Sequence, residues 1–314
     1  MTPHIRTAEL TDLPAIVAVH AAAVPSRPHS LHELTHDLTK LEDHLKPHLI
    51  VAENDGQILG VASFSRSAGS YHPHKFHLEL YVHPDSRGRG VGAALFDATL
   101  EALQPLAAIG VRTQVREDET FSLRFAQARD FTEDKRDFES LLDVQAFDAA
   151  PYASLESRLE REGVTVRSWR ELDSEAFRRA LHAVFSEVRL DVPRSEPATP
   201  ISFEFFDENV MSDAELVWDA SFVSLEGNRI TGFTGAFQGA KPEFLDQWLT
   251  ATTRAARGRG VATALKVRQL EAARGLGFVT VRTDNDTRNA PMLAVNAKLG
   301  FVRQPAVLSL AKVL

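Results

Sequence analysis

Hydrophobic positions along this chain follow two periods that alternate in a regular order. Residues 49–53 and 58–64 are compact apolar runs that read as strands, residues 5–7 read as a short strand ahead of them, and residues 76–82 alternate apolar and polar side chains as a half-buried strand does. Asn54-Asp55-Gly56 between two of them is a hairpin signal, because these residues tolerate the positive φ of a tight turn. Helical spacing runs from Asp12, a candidate N-cap, to about Val24, and again through residues 90–103 and 120–129. Leu31, Leu34, Leu38, Leu41 and Leu45 form one more stripe, which predicts a single helix across all five. Strands at 109–115 and 136–144 close this half.

The second half repeats the order. A strand at 164–169 leads to a helix at 173–188 and a short helical piece at 203–209. Strands at 220–225 and 230–237 flank the turn Glu226-Gly227-Asn228, followed by a strand around 247–252 and a helix over 260–273. A strand at 278–283, a helix at 291–298 and final strands from Val302 end the chain. Ala149-Ala150-Pro151 interrupts both periods, so the linker is expected near 149–154 and the domains at 1–150 and 155–314.

The repetition extends to residue identity. Ser86 to Leu95 (SRGRGVGAAL) and Ala256 to Leu265 (ARGRGVATAL) agree at seven of ten positions, 170 residues apart. The same gapless offset pairs Val111-Arg112-Thr113 with Val281-Arg282-Thr283, and Phe131 with Phe301. Upstream the register drifts: Gly60 matches Gly232, and Ile5-Arg6-Thr7 resembles Val166-Arg167-Ser168. The chain is a duplication whose second copy carries roughly ten extra residues, assigned to the proline-rich stretch 192–200.

Composition narrows the chemistry. A chain of 314 residues suits two average domains, and 44% hydrophobic residues suffice for two cores. The net charge of −8 argues against a general nucleic-acid binder, so any polyanion site must be local. With no cysteine there is no disulfide, thiolate metal site or cysteine nucleophile. No apolar run approaches the ~20 residues of a membrane span, and the first ten residues lack a signal peptide's apolar region, so a cytoplasmic protein is expected.

The repeated loop has chemistry of its own. Glycines allow tight turns and close approach to a ligand, and the helix that follows offers unpaired N–H groups and the positive end of its dipole. Arginines beside it suit phosphate oxygens. A strand, then R-x-x-G-x-G/A, then helix, strand and a helix ending in Gly-Phe, resembles the GNAT acyltransferase superfamily. Two copies look like the tandem GNAT proteins, in a mycothiol-synthase-like arrangement. The most specific stretch is Thr283-Asp284-Asn285 through Asn289, Met292-Leu293, Asn296 and Leu299-Gly300-Phe301. The resemblance implies an α/β fold of two tandem GNAT-type domains, each a mixed, mostly antiparallel sheet flanked by helices.

It also implies acetyl-CoA or another acyl-CoA as cofactor, with its pyrophosphate on the loops Arg87, Gly88, Arg89, Gly90, Val91, Gly92 and Arg257, Gly258, Arg259, Gly260, Val261, Ala262. The pantetheine arm would lie along Leu80, Tyr81 and Val82, or along Ala251 and Thr252, with Asn285 and Asn289 assisting in copy two. Copy one has Glu119 where copy two has Asn289, Asp130 in place of Gly300, and three consecutive acids, Glu117-Asp118-Glu119. Copy two is therefore the preferred cofactor site on sequence grounds.

Direct acyl transfer needs a neutral amine and a proton for the departing thiolate. The tyrosine that the family often supplies as acid is replaced by Ala126 and Asn296. Glu79 and Tyr81 share one strand face and are candidate catalytic groups, with Asp246 the analogous candidate in copy two; an outward polar residue is the commoner reading of Glu79 and Asp246. His83, before a proline, reads as structural. His32-Glu33-Leu34-Thr35-His36 matches the zinc-protease pattern, but both histidines lie opposite the leucine stripe, so no metal site is assigned. The expected function is acetyl-CoA-dependent N-acetylation of a small-molecule primary amine. The alternative is a CoA-binding protein with one or both copies non-catalytic. No nucleic-acid or membrane partner is expected, and the sequence leaves the oligomeric state open.

Overall fold

The computed structural model describes residues 3–25 and 28–314. They divide into two compact units: Met1–Lys135 with Leu308–Leu314, and Arg136–Val307. The second unit thus begins ahead of the expected linker, and the first ends with the last residues of the chain.

The first unit opens with β1 (His4–Thr7), α1 (Leu13–Ala23) and α2 (Leu31–Thr39). The hairpin β2 (His48–Asn54) and β3 (Gln57–Ser65) turns at Asp55 and Gly56, both with positive φ. Then come β4 (Lys75–Val82), α3 (Val91–Leu103), β5 (Gly110–Arg116) and α4 (Thr120–Gln127). β1 to β4 are antiparallel neighbours, and β4 pairs with β5 in parallel. Leu13, Ile16 and Val19 of α1 pack on Leu49, Val51, Ile58 and Val61, burying the apolar face of the sheet. The leucine stripe is not one helix. α2 stops at Thr39, so Leu41 and Leu45 lie beyond it, and Leu31 is 46% exposed. The hydroxyls of Thr35 and Thr39 donate back to the carbonyls of Leu31 and Thr35, a local alternative that disfavours extending the helix.

The second unit takes in β6 (Thr132–Asp143) from Arg136 onward. It continues with α5 (Leu155–Arg161), β7 (Val164–Ser168), α6 (Trp169–Leu172) and α7 (Glu175–Val188), which Ser174 caps by accepting from the N–H of Phe177. The expected helical piece at 203–209 is α8 (Phe203–Phe206), running into a π-helical turn to Met211. The hairpin β8 (Phe222–Glu226) and β9 (Arg229–Gln238) precedes β10 (Phe244–Thr252), α9 (Val261–Gly275), β11 (Thr280–Asp286), α10 (Ala290–Leu299) and β12 (Val302–Arg303). The strands run in the order β6, β11, β10, β9, β8, β7, with β10 and β11 parallel and the other pairs antiparallel. The last strand, β13 (Val307–Val313), adds to β5 of the first unit.

The repeat is reproduced in backbone geometry. Gly88 and Gly90 have φ of 74° and 83°, and Gly258 and Gly260 have 76° and 87°. Asp130 adopts the left-handed conformation of its counterpart Gly300, with φ of 62° against 93°.

Candidate active site

In both units the two parallel central strands pair over only three residues. The ladder between β4 and β5 stops at His77↔Arg112, and that between β10 and β11 stops at Asp246↔Arg282. Leu80, Tyr81 and Val82 lie past that point on β4, and Ala251 and Thr252 past it on β10. A strand whose ladder ends early has backbone groups able to pair with an extended ligand. The basic loops follow at once and run into the N-termini of α3 and α9, with Gly90 and Gly260 as N-caps.

The two loops differ in what surrounds them. A β-carbon at Gly88 or Gly90 would meet nothing within 4 Å, and Gly88, Arg89 and Gly90 are exposed. Arg87 donates to the carbonyls of Val82 and Ala23 at 3.3 and 3.5 Å. Among the described residues neither Arg87 nor Arg89 has a carboxylate within ion-pair distance. In the second unit Arg257 is paired with Asp191, which also binds Arg254, and Arg259 is paired with Glu226. Hydrogen bonds from Arg254 and Arg257 hold the Asp191 carboxyl well below the usual range, and Arg259 does the same to Glu226. Arg158 of α5 donates to the Arg259 carbonyl at 2.7 Å, and its guanidinium would lie 3.0 Å from a β-carbon on Gly260. The second loop therefore has its charge already matched, and the first does not.

The acidic run of the first copy is less repulsive than its sequence suggests. Arg116 holds Asp118 in a two-pronged pair at 3.1 and 3.0 Å and keeps its carboxyl ionised.

The candidate catalytic groups also separate. Glu79 and Tyr81 lie on one face of β4 among histidines. Glu79 Oε1 is 4.0 Å from His29 Nε2 and 3.9 Å from His77 Nε2, with 30% of its side chain exposed. The Tyr81 ring meets the edge of His20 at 4.3 Å. A half-exposed carboxylate near two imidazoles can exchange protons with a substrate through water. Asp246 is held otherwise: Arg282, only 6% exposed, grips both its oxygens at 2.8 and 2.5 Å. Taking a proton there would break a charge-assisted pair beside a buried guanidinium, which disfavours Asp246 as a base.

In the second unit Asn289 accepts at its side chain from the N–H of Met292, capping α10. Asn285 accepts from Asn296. The Asn296 Oδ1 is buried without a hydrogen-bond partner, and neither an amide nor Ala126 can donate the proton a tyrosine would. His83 accepts from the N–H of Asp85 and caps a short turn. His32 and His36 have ring centroids 6.3 Å apart, and no group of three potential metal ligands occurs among the described residues.

Sequence reasoning missed His20 and His29. Their only signal is the crowding of histidines into the first copy, since their meeting depends on tertiary structure that spacing does not reveal.

Residues 16–131 match the acetyltransferase (GNAT) family. A mycothiol acetyltransferase of Amycolatopsis mediterranei is 29% identical over 81% of this chain and 80% of its own. A tandem GNAT protein from the clavulanic acid biosynthesis pathway has the same fold with a TM-score of 0.79, at 18% identity over 99% of this chain and 98% of that one. A GCN5-related N-acetyltransferase from Sphaerobacter thermophilus follows at 0.73, with 19% identity over 99% and 95%. With the duplicated loops and the early-ending parallel pair in each unit, these likenesses give the chain a tandem GNAT fold, similar over most of its length to a mycothiol acetyltransferase and matching the acetyltransferase (GNAT) family over residues 16–131.

Proposed function

We propose that the protein is an acetyl-CoA-dependent N-acetyltransferase for a small-molecule primary amine and that its chemistry takes place in the first unit. The observation that carries this reading is the pairing of an uncommitted basic loop, Arg87 to Gly92, with Glu79 on the strand leading into it. Glycines open to solvent, two arginines without carboxylate partners among the described residues and the start of α3 fit a pyrophosphate. Leu80 to Val82, beyond the end of the β5 ladder, fit the amide-bearing arm. When bound, acetyl-CoA supplies an activated thioester. Glu79 takes the proton that keeps an acceptor ammonium from attacking, directly or through one water. The likeness to the Amycolatopsis mycothiol acetyltransferase makes a mycothiol-type acceptor the first amine to try.

A second reading applies to the second unit, which binds CoA without turnover or serves only as scaffold. The orphaned Asn296 Oδ1 suits an amide donor of a bound arm, while the paired Arg257 and Arg259 weaken phosphate binding.

Calorimetry with acetyl-CoA tests the placement. Arg89→Glu is expected to weaken the tightest binding event at least tenfold, and Arg259→Glu to leave it unchanged; the reverse pattern overturns it. In a CoA-release assay over amino sugars, amino acids, polyamines and the mycothiol-type acceptor, Glu79→Gln should lower kcat about 100-fold or more with acetyl-CoA affinity retained. An unchanged kcat removes Glu79 from the chemistry.

A further inference from the structure

We infer that His29 and His20 extend the Glu79 site into a proton exit, with His29 carrying the proton from Glu79 to solvent and His20 fixing His29 in place. This rests on the reading of Glu79 as the base. His20 lies in the last turn of α1 and is 3% exposed. Its Nδ1 accepts the main-chain N–H of His29 at 2.8 Å, and the two rings stack at 3.8 Å with 18° between their planes. The ring of Tyr81, on the strand face that carries Glu79, stands edge-on beside the stack, at 84° to the His20 plane and 80° to that of His29.

Accepting at Nδ1 requires that His20 be neutral, with its proton on Nε2. Burial, and then the charge of His29, push its pKa down to about 3, so it stays neutral across the physiological range. A ring that cannot take the proton is a positioning residue. His29 has 32% of its side chain exposed and its Nε2 at 4.0 Å from Glu79 Oε1, a gap that one water or a small rotation closes. His77 is equally near and has 37% of its side chain exposed, but loss of solvation, and then the Arg112 guanidinium on β5, push its ring towards neutrality against the pull of Glu79. His29 is also the ring held in place by the His20 acceptor and the ring stack. The exit therefore runs through His29.

The balance is simple. The acceptor ammonium gives one proton to Glu79, which passes it to His29 Nε2 and on to solvent, so that Glu79 returns to the carboxylate. The C–N bond forms as the thioester C–S bond breaks, and the nitrogen's second proton goes to the departing sulfur.

Two measurements on the full chain with acetyl-CoA present test this. Imidazole NMR should show His20 fixed as the Nε2–H tautomer between pH 5 and 8, and the His29 midpoint shifted in Glu79→Gln. An Nδ1–H tautomer of His20, or an unmoved His29 midpoint, overturns the relay whether or not any amine turns over. Kinetically, His29→Ala should lower kcat about 10- to 100-fold without changing KM for acetyl-CoA, with the acidic limb of the pH profile displaced. His20→Ala should do the same to a lesser degree, and His20→Asn, which keeps an acceptor for the His29 N–H, should recover part of the loss. Wild-type kcat in His29→Ala overturns the relay while leaving Glu79 as base; wild-type kcat in Glu79→Gln overturns the base itself.

Discussion

Lys266 is the most unusual single residue in the second unit. It sits on α9 fully buried, donates to the side-chain oxygen of Gln247, and lies 5.1 Å from the centroid of the Phe301 ring. Gln247 in turn donates to Gln269, which joins Thr234 and the carbonyl of Ala220. Burial pushes the Lys266 ammonium down to about 7, from 10.5 when solvated. Between those values the unfolded chain binds the extra proton, so the stability of this unit is expected to rise with pH from about 7 to 10.5. Lys266→Met should flatten that rise in denaturant titrations across the range, and a slope identical to wild type would refute the assignment. The sequence hid this residue: Lys266 stands between Leu265 and Val267 on a helix whose neighbours already read as core, and nothing in the spacing distinguishes a buried lysine from a surface one. Glu79 was legible because strand alternation sets its face. His20 was not, because its role depends on a tertiary stack.

Among elements, the hairpin strand that carries a matched glycine has the clearest physical cause. Gly60 on β3 and Gly232 on β9 are paired in the repeat, and a β-carbon on either would press on the carbonyl of the strand beside it, Tyr81 O at 2.8 Å and Ala251 O at 2.9 Å. Those carbonyls belong to the strand ends proposed to face the pantetheine arm. Gly60→Ala is expected to cost ~1–3 kcal/mol in chemical denaturation, because backbone cannot yield cheaply, and to weaken acetyl-CoA binding in calorimetry. Full stability with full affinity would contradict the close approach. The strands, hairpins and loop–helix junctions were readable from periodicity and turn residues alone. The extent of α2 was not: a stripe of leucines three or four apart continues past Thr39 in sequence, while the threonine hydroxyls compete with the helix. The fate of the loop arginines was hidden as well. Asp191 and Glu226 lie far from Arg257 and Arg259 in the chain, so identical loops read alike until their neighbours are in place.

At the scale of the molecule, the unit boundaries cross the order of the chain. A cut at residue 150 would leave the first unit without Leu308–Leu314 and take Arg136 to Asp143 of β6 from the second. A fragment ending at 150 is therefore expected to show weaker cooperative unfolding by circular dichroism than the same unit in the whole protein. Deleting residues 308–314 should increase hydrogen exchange in β5, where β13 adds to the sheet. Unaltered exchange in β5 would show that the last strand contributes little there.

That last strand has a consequence during synthesis. Everything else in the first unit has been made once Lys135 is joined, but its closing strand, Leu308–Leu314, follows only after the whole of Arg136–Val307. At the usual 5–20 residues per second, roughly ten to thirty-five seconds pass before it emerges. For that interval β5 waits beside an open place in its sheet. A nascent chain stalled or truncated ahead of Leu308 would release a first unit that carries the proposed chemistry yet lacks its closing strand. The first unit is thus secured by residues made after the whole of the second.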